Sequence, residues 1–314
     1  MRDSQSTRGG FLFATAAFGL WGLLPIYFVA LSPSGPAEIL AFRILLSLLF
    51  CLVILLFLRR LPETIALIRT RQIFLLSLLA ALLIFINWSV YVYASVSQFI
   101  VEAALGYFIN PLVTVGLGVF VLGEKLRGWQ WFALSLAVMA VLVLSIGYGS
   151  VPFISLALAF SFGLYGFVKK KMGPEVKSLD GLTLETIWLI PLALALLAWV
   201  ARSGELTFGS LGAGHLLLIL MAGAITSVPL LFFGAAAKRL KLTVLGLIQY
   251  LTPVMQFLFG VIVMGEPMPM ERWVGFSLVW LALVMLGIDA INHQRTKNSP
   301  VPFDKRDASF GENL

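Results

Sequence analysis

The chain is poor in the residues that most protein chemistry needs. Of its 314 residues one is cysteine, two are histidine, and only 12% carry a charge. Cys51 alone forms no intrachain disulfide and no thiolate zinc cluster. His215 and His293, near a membrane edge and in the tail, leave almost no material for a metal site or a catalytic triad. Soluble domains are about one quarter charged. The shortfall excludes a disordered, collagenous or nucleic-acid-binding chain and argues against a soluble enzyme. Apolar side chains take the place of the missing charge: 60% of residues are hydrophobic and the mean hydropathy is +0.99. This is the composition of a multispan membrane protein.

A helix crosses the roughly 30 Å of bilayer hydrocarbon with about 20 apolar residues. Ten stretches qualify: 10–31, 36–58, 73–95, 101–122 and 129–146 in the first half, then 151–168, 182–200, 214–237, 243–264 and 273–291. They are too long and too evenly apolar for the alternating strands of a membrane barrel. The expected fold is therefore all-α and integral to the membrane. Nineteen of the 22 Lys and Arg residues fall in the N-terminus, the tail and every second connection. The other side holds Arg202 and Arg272, and Arg43 lies inside a span. Cytoplasmic loops collect such residues, so both termini are expected in the cytoplasm. The net charge of +7 belongs to this asymmetry and to anionic headgroups, not to a nucleic-acid partner. The first run is longer than a signal-peptide core and lacks a small-x-small cleavage site, so it is expected to stay as a span.

A shift of 142 residues lays one half of the chain on the other. Pro111 falls on Pro253, Gly123-Glu124 on Gly265-Glu266, Trp131 on Trp273 and Gly118 on Gly260. Near the start of each half, Gly19-Leu20-Trp21-Gly22 parallels Gly163-Leu164-Tyr165-Gly166 at a shift of 144. Each half carries five spans, an odd number, so the second enters the membrane inverted. Inverted repeats are a building principle of secondary transporters, whose two halves exchange conformations. The expected organisation is a short cytoplasmic segment 1–9, repeats at 10–147 and 148–292, and a disordered tail from 293.

The segment from Glu102-Ala103-Ala104-Leu105 through Asn110-Pro111 to Leu122-Gly123-Glu124, echoed by Thr252-Pro253 to Gly265-Glu266, resembles the EamA-type repeat. That repeat marks the ten-span drug/metabolite transporter superfamily. Ala41-Phe42-Arg43-Ile44 and Asn87-Trp88-Ser89-Val90-Tyr91 are similar to its RarD branch. The resemblance covers about residues 8–292. It implies a permease of the bacterial inner membrane with a cavity between its halves, and relatives that export amino acids, other small metabolites or drugs. A label on the RarD branch links it to chloramphenicol.

Several residues are candidates for carrying transport. Pro111 and Pro253 each remove a helical hydrogen bond and free the carbonyl four residues earlier, that of Tyr107 or Gln249. Around them Tyr107, Asn110 and Thr114 form one stripe, and Gln249, Thr252 and Gln256 form its equivalent under the repeat. The stripes either bind substrate across a central cavity or act as hydrogen-bonding glue between helices. Asn87 and Tyr91 lie on a further polar face, and Trp21 and Tyr165 complete an aromatic set suited to planar or cationic substrates. Arg43 and Glu185 are equivalent under the shift. An intramembrane charge costs about 2.5–3.5 kcal/mol, so either they pair, or Glu185 reaches the cytoplasmic edge, or Arg43 binds an anionic group, or Glu185 takes part in proton coupling. Glu102 reads as a helix cap or a proton collector. The Gly-Glu pairs read as helix stops and acidic starts of the next helix.

No Walker sequence occurs, no cofactor is expected, and proton exchange is the expected energy source. The expected function is secondary transport of a small molecule by a monomer or homodimer. A channel and a membrane enzyme acting on lipid-linked substrates are the rivals, and the enzyme lacks the clustered His, Asp or Glu it needs.

Overall fold

The computed structural model describes residues 2–122, 128–148, 151–173, 175–237, 239 and 248–297. Most of these residues are helical, with no strand among them. In chain order the helices are α1 (Arg2–Gly22), α2 (Leu24–Ala30), α3 (Pro36–Phe57), α4 (Leu61–Ala66), α5 (Arg71–Val96) and α6 (Ile100–Leu122). Then come α7 (Gly128–Tyr148), α8 (Phe153–Met172), α9 (Ser178–Ser203), α10 (Gly212–Leu220), α11 (Ala222–Ala237), α12 (Leu251–Leu258) and α13 (Met270–Lys297). A π turn, Phe259–Val263, continues α12.

Five stretches are long and apolar enough to cross a membrane: Arg8–Ala30, Pro36–Phe57, Arg71–Val96, Ser178–Ser203 and Gly212–Phe233. Shorter apolar helices lie at Ile100–Asn110, Leu134–Ile146, Phe153–Lys169 and Leu251–Val263. Gly123–Glu124, most of the 238–242 connection and the first residues of the 243–264 stretch lie outside the described residues. Helix α13 continues through Lys297, and residues 298–314 of the expected tail lie outside the described residues.

The chemistry of the surface is that of a protein solvated by lipid. On α3 Leu49, Val53 and Leu56 are exposed, and on α5 Leu75, Leu79, Leu82 and Ile86 are. These positions recur at helical spacing and form continuous apolar stripes, far beyond the scattered exposed leucines of a soluble surface. The buried interior, by contrast, holds Glu38, Arg43, Asn87, Asp180, Glu185 and Gln256. Polar groups inside and apolar groups outside is the arrangement a hydrocarbon solvent selects.

Helix pairing follows the sequence repeat. Helix α5 of the first half packs on α8 of the second, and α11 of the second half packs on α1 of the first. Likewise α6 meets α8 while α12 meets α1, and α3 meets both α9 and α11 while α9 meets both α3 and α5. The helices α7 and α13 pack on each other. Exchanging the halves maps these contacts onto one another.

Candidate functional site

Four contacts set the register between α1 and α8. Thr252 Oγ1 donates to the Phe18 carbonyl at 2.7 Å, and Asn110 Nδ2 donates to the Ala159 carbonyl at 3.0 Å. Gly22 lies against Met255, and Gly163 against Val113. Asn110 and Val113 map onto Thr252 and Met255 at the shift of 142, whereas Phe18 and Gly22 map onto Ala159 and Gly163 at 141. Phe162, not Tyr165, therefore stands where Trp21 does. The shift of 144 that pairs Trp21 with Tyr165 differs from 141 by three residues, about 300° of helix rotation at 3.6 residues per turn. Such a slip leaves both alignments on nearly the same face, so the short Gly-Leu-aromatic-Gly match was the misleading one.

The two polar stripes do not face each other as matched sets. Asn110 and Thr252 each donate a hydrogen bond to a backbone carbonyl, of α8 and of α1, as glue between helices does. Tyr107 donates to Asn87 Oδ1 at 3.2 Å, and Asn87 Nδ2 donates to Ser161 Oγ at 3.1 Å. Gln256 reaches furthest toward the other half. Its Nε2 donates to the Trp21 carbonyl at 3.1 Å and to Tyr91 Oη at 2.7 Å. The rings of Tyr91 and Tyr107 meet edge to face at 5.6 Å, and Phe28 closes on Tyr91 at 5.9 Å. The structure thus gathers Trp21, Asn87, Tyr91, Tyr107 and Gln256 into one polar-aromatic centre. Gln249 is half-buried in the turn before α12, and Pro253 is buried in the first turn of that helix, where a missing N–H costs little. The side chains of Pro111 and Thr114 lie outside the described residues.

Arg43 and Glu185 do not pair. Arg43 belongs to the centre: its Nε donates to Thr226 Oγ1 at 3.1 Å, and its guanidinium lies 4.4 Å from the Trp88 ring centroid and 5.3 Å from that of Phe28. Glu185 turns to its own half, accepting from Lys169 Nζ at 2.6 Å and from Tyr165 Oη at 2.9 Å. Tyr165 is thereby part of the Glu185 pair and not a counterpart of Trp21.

The acidic residues at helix ends do more than start their own helices. Glu266 accepts the Ile100 and Val101 N–H groups at 2.6 and 2.9 Å, satisfying donors at the start of α6. Gly265, at φ +64°, makes the turn that aims it there. Glu102 likewise accepts the N–H groups of Ile154 and Ser155 at the start of α8. Both are caps, but of another helix than the adjacent one.

Two further carboxylates, missed at the level of sequence, bridge the halves. Glu38, fully buried at the start of α3, accepts the Thr207 N–H at 3.0 Å and the Thr207 hydroxyl at 2.9 Å. Ser34 joins this cluster through Thr207 and His215 Nε2, the latter at 3.1 Å. Asp180, buried at the start of α9, accepts the Thr64 hydroxyl at 2.8 Å and Arg60 Nη2 at 2.8 Å. Because each acid begins its helix and each threonine follows the other helix's end, α3 and α9 run antiparallel with one latch at either end. The 22 residues of α3 put the latches about 33 Å apart at 1.5 Å per residue. The shift of 142 carries Glu38 onto Asp180. That coincidence was the available signal, and the apolar-run reading passed over it because both acids sit at run edges.

The chain matches the model of the EamA-like transporter family twice, over residues 7–146 and 150–288. It is 48% identical to a protein named RarD from Streptomyces exfoliatus, over 94% of this chain and 93% of that protein. It is 41% identical to Protein RarD of Escherichia coli strain K12, over 93% of this chain and 98% of that one. A solved crystal structure superposes with a TM-score of 0.53 at 17% identity, covering 89% of this chain and 97% of its own, which shows a shared fold. A lipid-facing surface, a doubled helical plan and a buried polar centre are what such a family requires: the chain belongs to the EamA-like transporter family of the drug/metabolite transporter superfamily, beside the proteins named RarD.

Proposed function

We propose that the protein is a secondary transporter that moves a small metabolite, amino acid or drug by alternating access around the centre formed by Arg43, Tyr91, Tyr107 and Gln256. Ten helices cross the membrane as two inverted five-helix repeats, residues 10–147 and 148–292. The observation that carries this reading is the pair of latches. Equivalent acids, Glu38 and Asp180, close opposite ends of the same helix pair by bonds between the halves. A carrier needs two closures, one on each side of its site, that open in turn. The self-mapping set of helix contacts supports two states of similar energy.

The distribution of Lys and Arg puts the Glu38 latch outside and the Asp180 latch on the cytoplasmic side of a bacterial inner membrane. Export is the direction taken from the family resemblance, and proton exchange through Glu185 is the proposed drive. Counterflow with purified protein in liposomes tests the reading. The panel is amino acids, nucleobase-like metabolites and chloramphenicol, the last chosen for the label on the RarD branch. Saturable counterflow of at least one compound is expected. Linear, unsaturable flux identifies a pore instead, and overturns the carrier.

A further inference from the structure

Arg43 is 5% exposed and has an incomplete set of partners. Its Nε is bonded to Thr226, but Nη1 is buried with no hydrogen-bond partner among the described residues. Among the described residues no carboxylate forms an ion pair with its guanidinium. The other cations that reach inward are matched, Lys169 by Glu185 and Arg60 by Asp180. Two aromatic faces, Trp88 and Phe28, offset part of the desolvation through their negative π clouds. They leave the net charge uncancelled at membrane depth.

A second unmet group belongs to the other half. Gln256 uses its amide N–H groups on Trp21 and Tyr91, while its Oε1 is buried without a partner among the described residues. Tyr91 joins the two, since it takes the hydrogen bond from Gln256 and its ring meets that of Phe28, over which the Arg43 guanidinium lies. A guanidinium donor from one repeat and a carbonyl acceptor from the other are thus both open in one centre walled by aromatic rings. Each unmet buried group carries a desolvation cost that a matching ligand group removes.

We propose that this centre binds a small organic carboxylate that bears a nearby N–H or O–H group, as amino acids and hydroxy acids do. The carboxylate takes the free edge of the Arg43 fork, whose planar geometry matches its two oxygens. The N–H or O–H donates to Gln256 Oε1. The apolar part of the ligand lies among Tyr91, Tyr107 and Trp21. A neutral amide of the same shape leaves the Arg43 charge uncancelled and is rejected. The proposal rests on the transporter reading for movement of the ligand, but not for its binding.

Thermal stabilisation of the purified protein in detergent tests binding by itself. The probes are lactate, 3-phenyllactate and L-phenylalanine, each against its primary amide. At least one acid is expected to raise the melting temperature saturably, and to bind about tenfold or more tightly than its amide, the size of a charge-assisted hydrogen bond. Arg43→Gln is expected to abolish the difference. Gln256→Glu, which sets a carboxylate beside the ligand's own, weakens the acid and not the amide, and serves if Arg43→Gln does not fold. Equal binding of acid and amide, binding of no acid, or an unchanged preference in both variants overturns the proposal. Counterflow of the bound acid then addresses transport separately: an acid that binds but is not carried leaves the anion site standing and sinks the carrier.

Discussion

Glu38 and Asp180 occupy the same position in the two repeats, and each accepts a hydrogen bond from a threonine of the opposite repeat. Their surroundings differ. Asp180 also holds the permanent cation of Arg60, whereas Glu38 meets a backbone N–H and lies beside Ser34 and His215. Equivalent positions with unequal partners let the two closures differ in strength while sharing a geometry.

Weakening one latch shifts the balance between states. A hydrogen bond to a charged group contributes about 1.5–3 kcal/mol, so losing one moves a two-state equilibrium roughly 10- to 100-fold. In a background carrying Ser34→Cys, labelling by an impermeant thiol reagent added outside reports the Glu38 end. Thr207→Val is expected to speed that labelling and Thr64→Val to slow it. Equal rates in both variants contradict the two-latch account.

Thr252 is expected to brace helices without touching substrate. Its hydroxyl goes to the Phe18 carbonyl. Thr252→Val should lower stability by about 0.6 kcal/mol, the average for such bonds inside membrane proteins, and leave the KM for counterflow unchanged. A raised KM with unchanged stability reverses the assignment.

Glu266 gives the fold a pH dependence. Burial holds its carboxyl above the ordinary 4.5, opposed by the Val101 and Ile100 N–H groups and reinforced by the charge of Glu102. A raised acid binds its proton more tightly in the folded state. Its contribution to stability is therefore fully present below 4.5 and declines as pH rises through the folded value. Melting temperatures across this range should fall more steeply for the native protein than for Glu266→Gln. Parallel curves count against the assignment.

Glu185 and Lys169 test energy coupling. Glu185→Gln keeps the size of the side chain but removes the charge that meets Lys169 Nζ. If the residue couples protons, wild-type transport responds to an imposed pH gradient and the variant does not. The same response in both proteins assigns Glu185 a structural role.

The lipid-facing runs, the doubling at 142 residues and the polar identity of the centre were legible in the sequence, because each is a local pattern of residue type. Helix rotation was not. The match of Trp21 with Tyr165 followed a four-residue similarity, and only the contacts of Phe18 and Ala159 with α12 and α6 fix the register. Glu266 reads as an ordinary acidic helix start, since nothing local says that its carboxylate crosses to α6. The latches were hidden for a related reason. The shift carries Glu38 onto Asp180, but it carries Thr64 onto Leu206, one residue short of the Thr207 that bonds Glu38.

The most direct test of alternating access is a pair of distance measurements in one preparation. Spin labels placed across the Glu38 latch, and in a second sample across the Asp180 latch, report the opening of each end in liposomes with and without a transported compound. The account predicts two populations at each end, with one end open only in the fraction where the other is closed. Both ends widening together, or neither moving under conditions that support counterflow, contradicts it.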